Sequence, residues 1–212
     1  MNQKDLWEKL ARENSKYYIN SDKGKRITDE EFRDSGINDY HKYIIEDGLI
    51  MGKLHYSSEP VTILDLGCGT GRMMEYMADD FNNVIGVDVS GEMIRQAYDR
   101  LQGITNIELM ENDGENIPVK EDSVDIVFSY LVFQHIKDRE MVENNFKEVM
   151  RILKQKGLFK VLIRSDKVDV NKWWGGVEYT EQSIGELIKK VGFTLLKTEP
   201  RDEFGFWVWL QK

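Results

Sequence analysis

The sequence predicts an α/β fold: a doubly wound, mostly parallel sheet covered by helices on both faces. Three observations predict it. An apolar, branched run breaks into a glycine turn, Ile63-Leu64-Asp65-Leu66-Gly67-Cys68-Gly69-Thr70-Gly71-Arg72. A second such run, Asn83-Val84-Ile85-Gly86-Val87, ends in an acid, Asp88. Strand-length and helix-length segments then alternate along the chain, the pattern of parallel strands joined by crossover helices.

The elements follow in order. Residues 1–60 read as mainly helical, with Leu6, Trp7, Leu10 and Ala11 on one face, then Tyr17, Tyr18 and Ile19. A second helix is expected over 39–54. This segment reads as a helical cap or lid, or as a helix packed on the sheet edge, ahead of a core over 61–212; together they form one structural domain. Residues 61–66 are the first strand and 72–78 the start of a helix. Ser90 can cap a helix through Met93, Ile94 and Ala97 to Leu101. Further strands are expected at 107–110, 124–130, 158–163, 193–198 and 206–210, with helices at 141–153 and 183–191. No repeat or low-complexity tract interrupts them.

The glycine turn carries the chemistry. Residues without a Cβ let the backbone approach a ligand at the carboxyl end of a strand and adopt the turn angles this demands. The following helix start adds backbone donors. The dinucleotide fingerprint is G-x-G-x-x-G with an acid about twenty residues on; here the third glycine comes one residue early, and Asp65 sits two residues before the first. An acid at the end of the second strand, Asp88, suits the two ribose hydroxyls of an adenosine.

At these residues the chain resembles the class I S-adenosylmethionine-dependent methyltransferases, whose first motif is D-x-G-x-G-x-G and whose second strand ends in this acid. The resemblance covers about residues 61–198. It implies a three-layer, Rossmann-like fold of seven strands, the last antiparallel to its neighbours. It implies S-adenosylmethionine as cofactor and S-adenosylhomocysteine as product. Asp65, Gly67, Cys68, Gly69, Gly71 and Arg72 would then approach the methionine part, with Val89 and Met93 beside the adenine. In Glu111-Asn112-Asp113-Gly114-Glu115, Asp113 would accept from the adenine amino group, and Asn112 and the Gly114 and Glu115 backbone would lie at the ring. An ordinary D-G turn is the plain alternative. Residues 125–135, Asp-Ile-Val-Phe-Ser-Tyr-Leu-Val-Phe-Gln-His, resemble the fourth motif, so Ser129, Tyr130 and Gln134 would face the cofactor and acceptor. Residues 151–157 look like the family's R-x-L-K-P-G-G turn, with Gln155 and Lys156 replacing a proline and a glycine.

A sulfonium methyl is already activated, so orientation supplies most of the acceleration, roughly 7–11 kcal/mol for well-placed pairs. His135 is the candidate base for an acceptor proton, or else a structural histidine; Tyr130 is the second catalytic candidate. Tyr18, Trp173, Trp174 and Tyr179 are candidate acceptor-binding residues. The paired tryptophans beside Gly175 and Gly176 read as an aromatic wall on a mobile loop or as a hydrophobic plug. Cys68 reads as a turn residue rather than a nucleophile. His41 and His55 lack ligand spacing, and no metal site is indicated.

Composition narrows the partners. A net charge of −9 over 212 residues disfavours a polyanion, which calls for a basic stripe. The clusters at 23–26 and 151–156 read as solvated surface. No apolar run approaches the roughly 18 residues of a membrane span, and the amino terminus lacks a secretory core. A single cysteine suits a reducing cytoplasm. A monomer or homodimer acting on a small-molecule acceptor is expected, because the inserts around the core are small. Three other readings stay open: an RNA- or protein-modifying methyltransferase, a non-catalytic S-adenosylmethionine-binding module and, more distantly, a dinucleotide oxidoreductase.

Overall fold

The computed structural model describes residues 2–21, 24–169, 171–202 and 204–212. Lys23 of the first basic cluster therefore lies outside the described residues. Seven strands are present among the described residues, in the order β3-β2-β1 in the first of two units and β4-β5-β7-β6 in the second. By internal packing the chain divides into two units, Met1–Asn112 and Asp113–Lys212.

In the first unit, β1 (Thr62–Leu66), β2 (Asn83–Asp88) and β3 (Ile107–Glu111) pair in parallel, with Leu66 opposite Val87 and Asp88 opposite Glu111. β1 is almost wholly buried, which is why it reads as a continuous apolar run and not as an alternation. α1 (Gln3–Ile19) contains a break at Asn14, whose side-chain oxygen accepts from the Tyr17 amide at 3.2 Å and starts the second segment. α2 (Asp29–Tyr40) opens on a capping box of Thr28 and Glu31. A π-helical turn, His41–Ile45, and a separate α3 (Gly48–His55) follow. The single helix expected over 39–54 is thus corrected: Asp47 accepts from the Leu49 and Ile50 amides and starts a new helix there. α4 spans Met74–Asp80, and α5 (Gly91–Arg100) starts at the expected Ser90 cap.

In the second unit, β4 (Val124–Ser129) and β5 (Leu153–Arg164) are parallel, and β7 (Gly205–Gln211) runs antiparallel between β5 and β6 (Thr194–Asp202). The inserted final strand is the arrangement implied by the resemblance. α6 (Arg139–Ile152) and α7 (Glu181–Val191) complete the unit. β5 starts five residues earlier than the expected 158, because the chain passes straight from α6 into it. Lys156 sits there at φ +61°, with its amide donating to the Lys212 carbonyl at 3.1 Å. Glycine, which the resembled turn carries at this place, accommodates a left-handed conformation most readily.

Candidate functional site

The glycine turn is laced to the end of β2. Gly67, Gly69 and Gly71 all have positive φ (+81°, +55° and +72°). The Gly67 and Cys68 amides both donate to the Val87 carbonyl, at 2.7 and 3.1 Å. The Gly69 amide donates to Asp88 Oδ2 and the Ser90 amide to Asp88 Oδ1, each at 2.9 Å. One carboxylate thus joins the turn to the start of α5, and each of its oxygens keeps acceptor capacity. The Thr70 hydroxyl, buried inside the turn, has no hydrogen-bond partner among the described residues.

Two acids share this half-site. Burial pushes the Asp65 carboxyl up to about 7; the Arg72 charge opposes this and Asp88 adds to it. Burial also raises Asp88, against the amides of Ser90, Gly69 and Val89. Cys68 is a buried free thiol that burial and both acids push well up, so it is no thiolate nucleophile.

α1 reaches the same strand ends. The Ile19 side chain lies 3.0 Å from where a Cβ on Gly69 would sit. The Glu8 carboxylate accepts from Ser90 Oγ at 2.8 Å and the Glu92 amide at 3.0 Å. Lys4 pairs with Glu111 and lies 3.5 Å from the Asn112 carbonyl. Met93 is buried on the first turn of α5, and Val89 is half-buried before it. Tyr18 donates its hydroxyl to Glu13 at 2.9 Å and meets the Tyr17 ring edge-on. Arg72 departs from expectation: its guanidinium is committed to Asp39 (2.7 Å) and Ser35 Oγ (3.1 Å) on α2.

In the second unit, Asp113 is exposed and its carboxylate closes its own turn. It accepts from the Glu115 amide (2.9 Å) and from the amide and side chain of Asn116 (2.7 Å each), and these bonds hold it down at about 2. Gly114, at φ +89°, completes the turn, and its carbonyl accepts from Asn145 at 2.8 Å. Ser129 is buried at the end of β4. The Tyr130 ring stacks on Trp207 at 5.5 Å, and its hydroxyl lies 3.4 Å from Arg201 on β6.

His135 lies under the aromatic loop. Burial, then the Arg164 charge, lowers its pKa to about 3. The imidazole is therefore neutral at pH 7 and a weak base. Its ring stacks on Trp173 at 6.0 Å and lies beside the Gln134 amide nitrogen at 3.1 Å. Arg164, at the end of β5, donates to the carbonyls of Gln134 and Trp174, both at 3.1 Å, and to Asp166 at 2.8 Å. Trp174 is 42% exposed, whereas Tyr179 is buried, with the Arg139 guanidinium 4.6 Å above its ring. The first suits an acceptor wall; the second is a packed support.

Sequence reading missed Arg164, Arg201, Glu8 and Lys4. Only Arg164 left a signal, as a charge closing the apolar run Val161-Leu162-Ile163. Among the described residues no His, Cys, Asp or Glu group is arranged to hold a metal, and no helix is long and apolar enough to cross a membrane.

Gly176 fixes the loop. A Cβ there would strike the Gln134 carbonyl and sit 2.9 Å from that of Ile136, both backbone atoms that cannot yield cheaply. Gly176→Val is expected to cost about 1–3 kcal/mol. It should also release the Val177 amide from the Ile136 carbonyl, now bonded at 2.8 Å. Faster hydrogen exchange at Val177 would show this, and unchanged exchange would refute it.

Residues 64–161 match a family model described as a methyltransferase domain. The chain is 29% identical to phosphoethanolamine N-methyltransferase 1 of Arabidopsis thaliana over 222 residues, covering 94% of this chain and 43% of that protein. It is 29% identical to malonyl-[acyl-carrier protein] O-methyltransferase of a Marinomonas species over 147 residues, 68% of this chain and 52% of the relative. The chain thus spans about half the length of these relatives. In fold it is similar to an S-adenosylmethionine-dependent methyltransferase from Aquifex aeolicus, with a TM-score of 0.63 at 17% identity, covering 88% of this chain and 99% of that one.

Proposed function

We propose that the chain is a class I S-adenosylmethionine-dependent methyltransferase, which binds this cofactor at the glycine turn and methylates an oxygen, nitrogen or carbon of a small molecule; the match of residues 64–161 to a methyltransferase domain supports this. One observation carries the reading: Asp65 and Asp88 are brought together beside the Gly67, Gly69 and Gly71 turn, and burial raises both acids. Their charge is undercompensated, which favours a cationic ligand and opposes a pyrophosphate. Asp88 keeps acceptor capacity for a ribose diol, and the buried Thr70 hydroxyl supplies a further polar group. The residues present therefore fit the group.

When bound, S-adenosylmethionine supplies an activated methyl on a positive sulfur. The protein's part is to orient and to exclude water. In this proposal Asp88 holds the ribose, Val89 and Met93 flank the adenine, and Asn112 with the Gly114 and Glu115 backbone borders it. Asp113 shapes that border through its own turn. Ser129, Tyr130 and Gln134 serve the methionine part and the acceptor. His135 is read as the neutral plank beneath Trp173 and not as the base, and Trp174 as the acceptor wall. Residues 1–60 act as the cap. The net charge of −9 supports a small acceptor over a nucleic acid.

Thermal melting with S-adenosylmethionine, S-adenosylhomocysteine, NAD and ATP tests this. A ligand at about 100 times its dissociation constant stabilises the native state by roughly 2.7 kcal/mol. Stabilisation by the first two alone is expected, followed by methyl transfer in an acceptor screen. A response to NAD instead would overturn the reading. Tight cofactor binding without turnover would reduce the chain to a binding module.

A further inference from the structure

A cavity of about 420 Å³ opens in the second unit, lined by Lys137, Arg139 and Lys167 against a single carboxylate, Glu178, over Gly176 and Val177. Three cations against one acid is an unusual local balance in a chain of net charge −9. The Arg139 guanidinium is already fixed, donating to the Glu178 carbonyl at 2.8 Å and lying over the Tyr179 ring. It has donors left over and little rotamer freedom to lose. Lys137 and Lys167 form no ion pair among the described residues. Asp169, the nearby acid that senses Lys137, is engaged by the amide and side chain of Asn171, both at 2.9 Å. The start of α6 is capped by Asp138, which accepts from the Glu140 amide at 2.9 Å, so the cavity's charge comes from side chains and not from a helix end.

Such a cavity stabilises a multiply charged oxyanion: the guanidinium fork takes two oxygens, and the lysines, as mobile point charges, take the rest. Its floor belongs to the segment that carries Trp173 and Trp174, pinned by the Val177 amide on the Ile136 carbonyl. We propose that this cavity is a phosphate subsite, and that the anion it takes is a phosphate group carried by the acceptor. The second clause rests on the methyltransferase reading; the first does not.

Calorimetry of the full chain with inorganic phosphate at constant ionic strength tests the subsite. Saturable binding is expected, weakened at least about tenfold in Lys137→Gln/Lys167→Gln, since a hydrogen bond to a charged group is worth about 1.5 kcal/mol or more. Both lysines are exposed, so the substitutions leave the fold intact, and Lys137→Arg/Lys167→Arg should keep the binding. Absence of saturable phosphate binding, or equal binding by the glutamine variant, overturns the proposal. Phenyl phosphate and phenol separate the sources. Tighter binding of phenyl phosphate than of phosphate, lost in the glutamine variant, supports an organic phosphate. Equal binding of phenyl phosphate and phosphate supports the subsite but overturns the acceptor clause in favour of free phosphate. S-adenosylhomocysteine titrated into the same samples reports on the cofactor reading separately, so the two can fail independently.

Discussion

Asp88→Ala is expected to weaken S-adenosylhomocysteine binding roughly ten- to hundredfold, the equivalent of about 1.5–3 kcal/mol for hydrogen bonds to a charged group. The effect has two parts. The ribose loses its acceptor, and the Gly69 and Ser90 amides, each now 2.9 Å from a carboxylate oxygen, lose theirs. With those amides unpaired, the glycine turn is no longer tied to the start of α5, so pre-organisation is lost along with the contact. Calorimetric titration of both proteins measures the ratio. Equal affinities would mean that the end of β2 does not hold the cofactor. The melting temperature of the free variant separates the two parts, because only the orphaned amides lower it.

Asp65→Asn is expected to change how stability depends on pH. A carboxyl held at about 7 in the folded chain and near 3.9 when unfolded binds its proton more tightly when folded. Its contribution to stability is therefore full below about pH 4 and is lost as pH rises to about 7, beyond which it stays constant. Between pH 5 and 8 the wild type should lose about 2 kcal/mol relative to the asparagine variant, which has no proton to release there. Asp113 and Glu92, both held down at about 2, act in the opposite sense and at lower pH, so they do not mask the window. Urea denaturation of both proteins at the two pH values gives the difference directly. A difference that does not vary with pH would show that Asp65 ionises normally in the fold, and would remove the undercompensated charge on which the preference for a cationic cofactor rests. If that charge is real, S-adenosylmethionine should also bind more tightly as pH rises through 7.

Much of the frame could be read before any coordinates. The Gly67-to-Gly71 turn, the Asp88 strand end and the Ser90 cap are local: each depends on dihedral preferences and hydrogen bonds within a few residues. β4, β7 and the 158–164 stretch of β5 are equally plain, because burial on both faces leaves continuous apolar runs. α2 was overlooked although its capping box, Thr28-Asp29-Glu30-Glu31, was in view; the helix behind it buries only Phe32, Gly36 and Tyr40, too few for a strong periodic signal. The break between the π-helical turn and α3, inside the helix expected over 39–54, leaves no mark in the apolar pattern, which runs through it, while Asp47 interrupts only the backbone.

The side-chain chemistry of the site was less legible than its residue types. Asp113 was expected to face a ligand and instead closes its own turn; Arg72 was expected at the turn and instead holds α2. His135 was read as a possible base from residue type alone, and its burial beside Arg164 removes the basicity. Glu8 reaches Ser90 across 82 positions, a pairing to which spacing gives no clue. By itself the sequence determined the strand–turn–helix at Gly67 and the acid at the end of β2, because these are written in backbone conformations that short segments prefer on their own. Only the tertiary structure decided which carboxylates stay undercompensated, which imidazole goes dry and which cations share a cavity, because a charge's partners and its access to water depend on elements that are distant in the chain and adjacent only once it has folded.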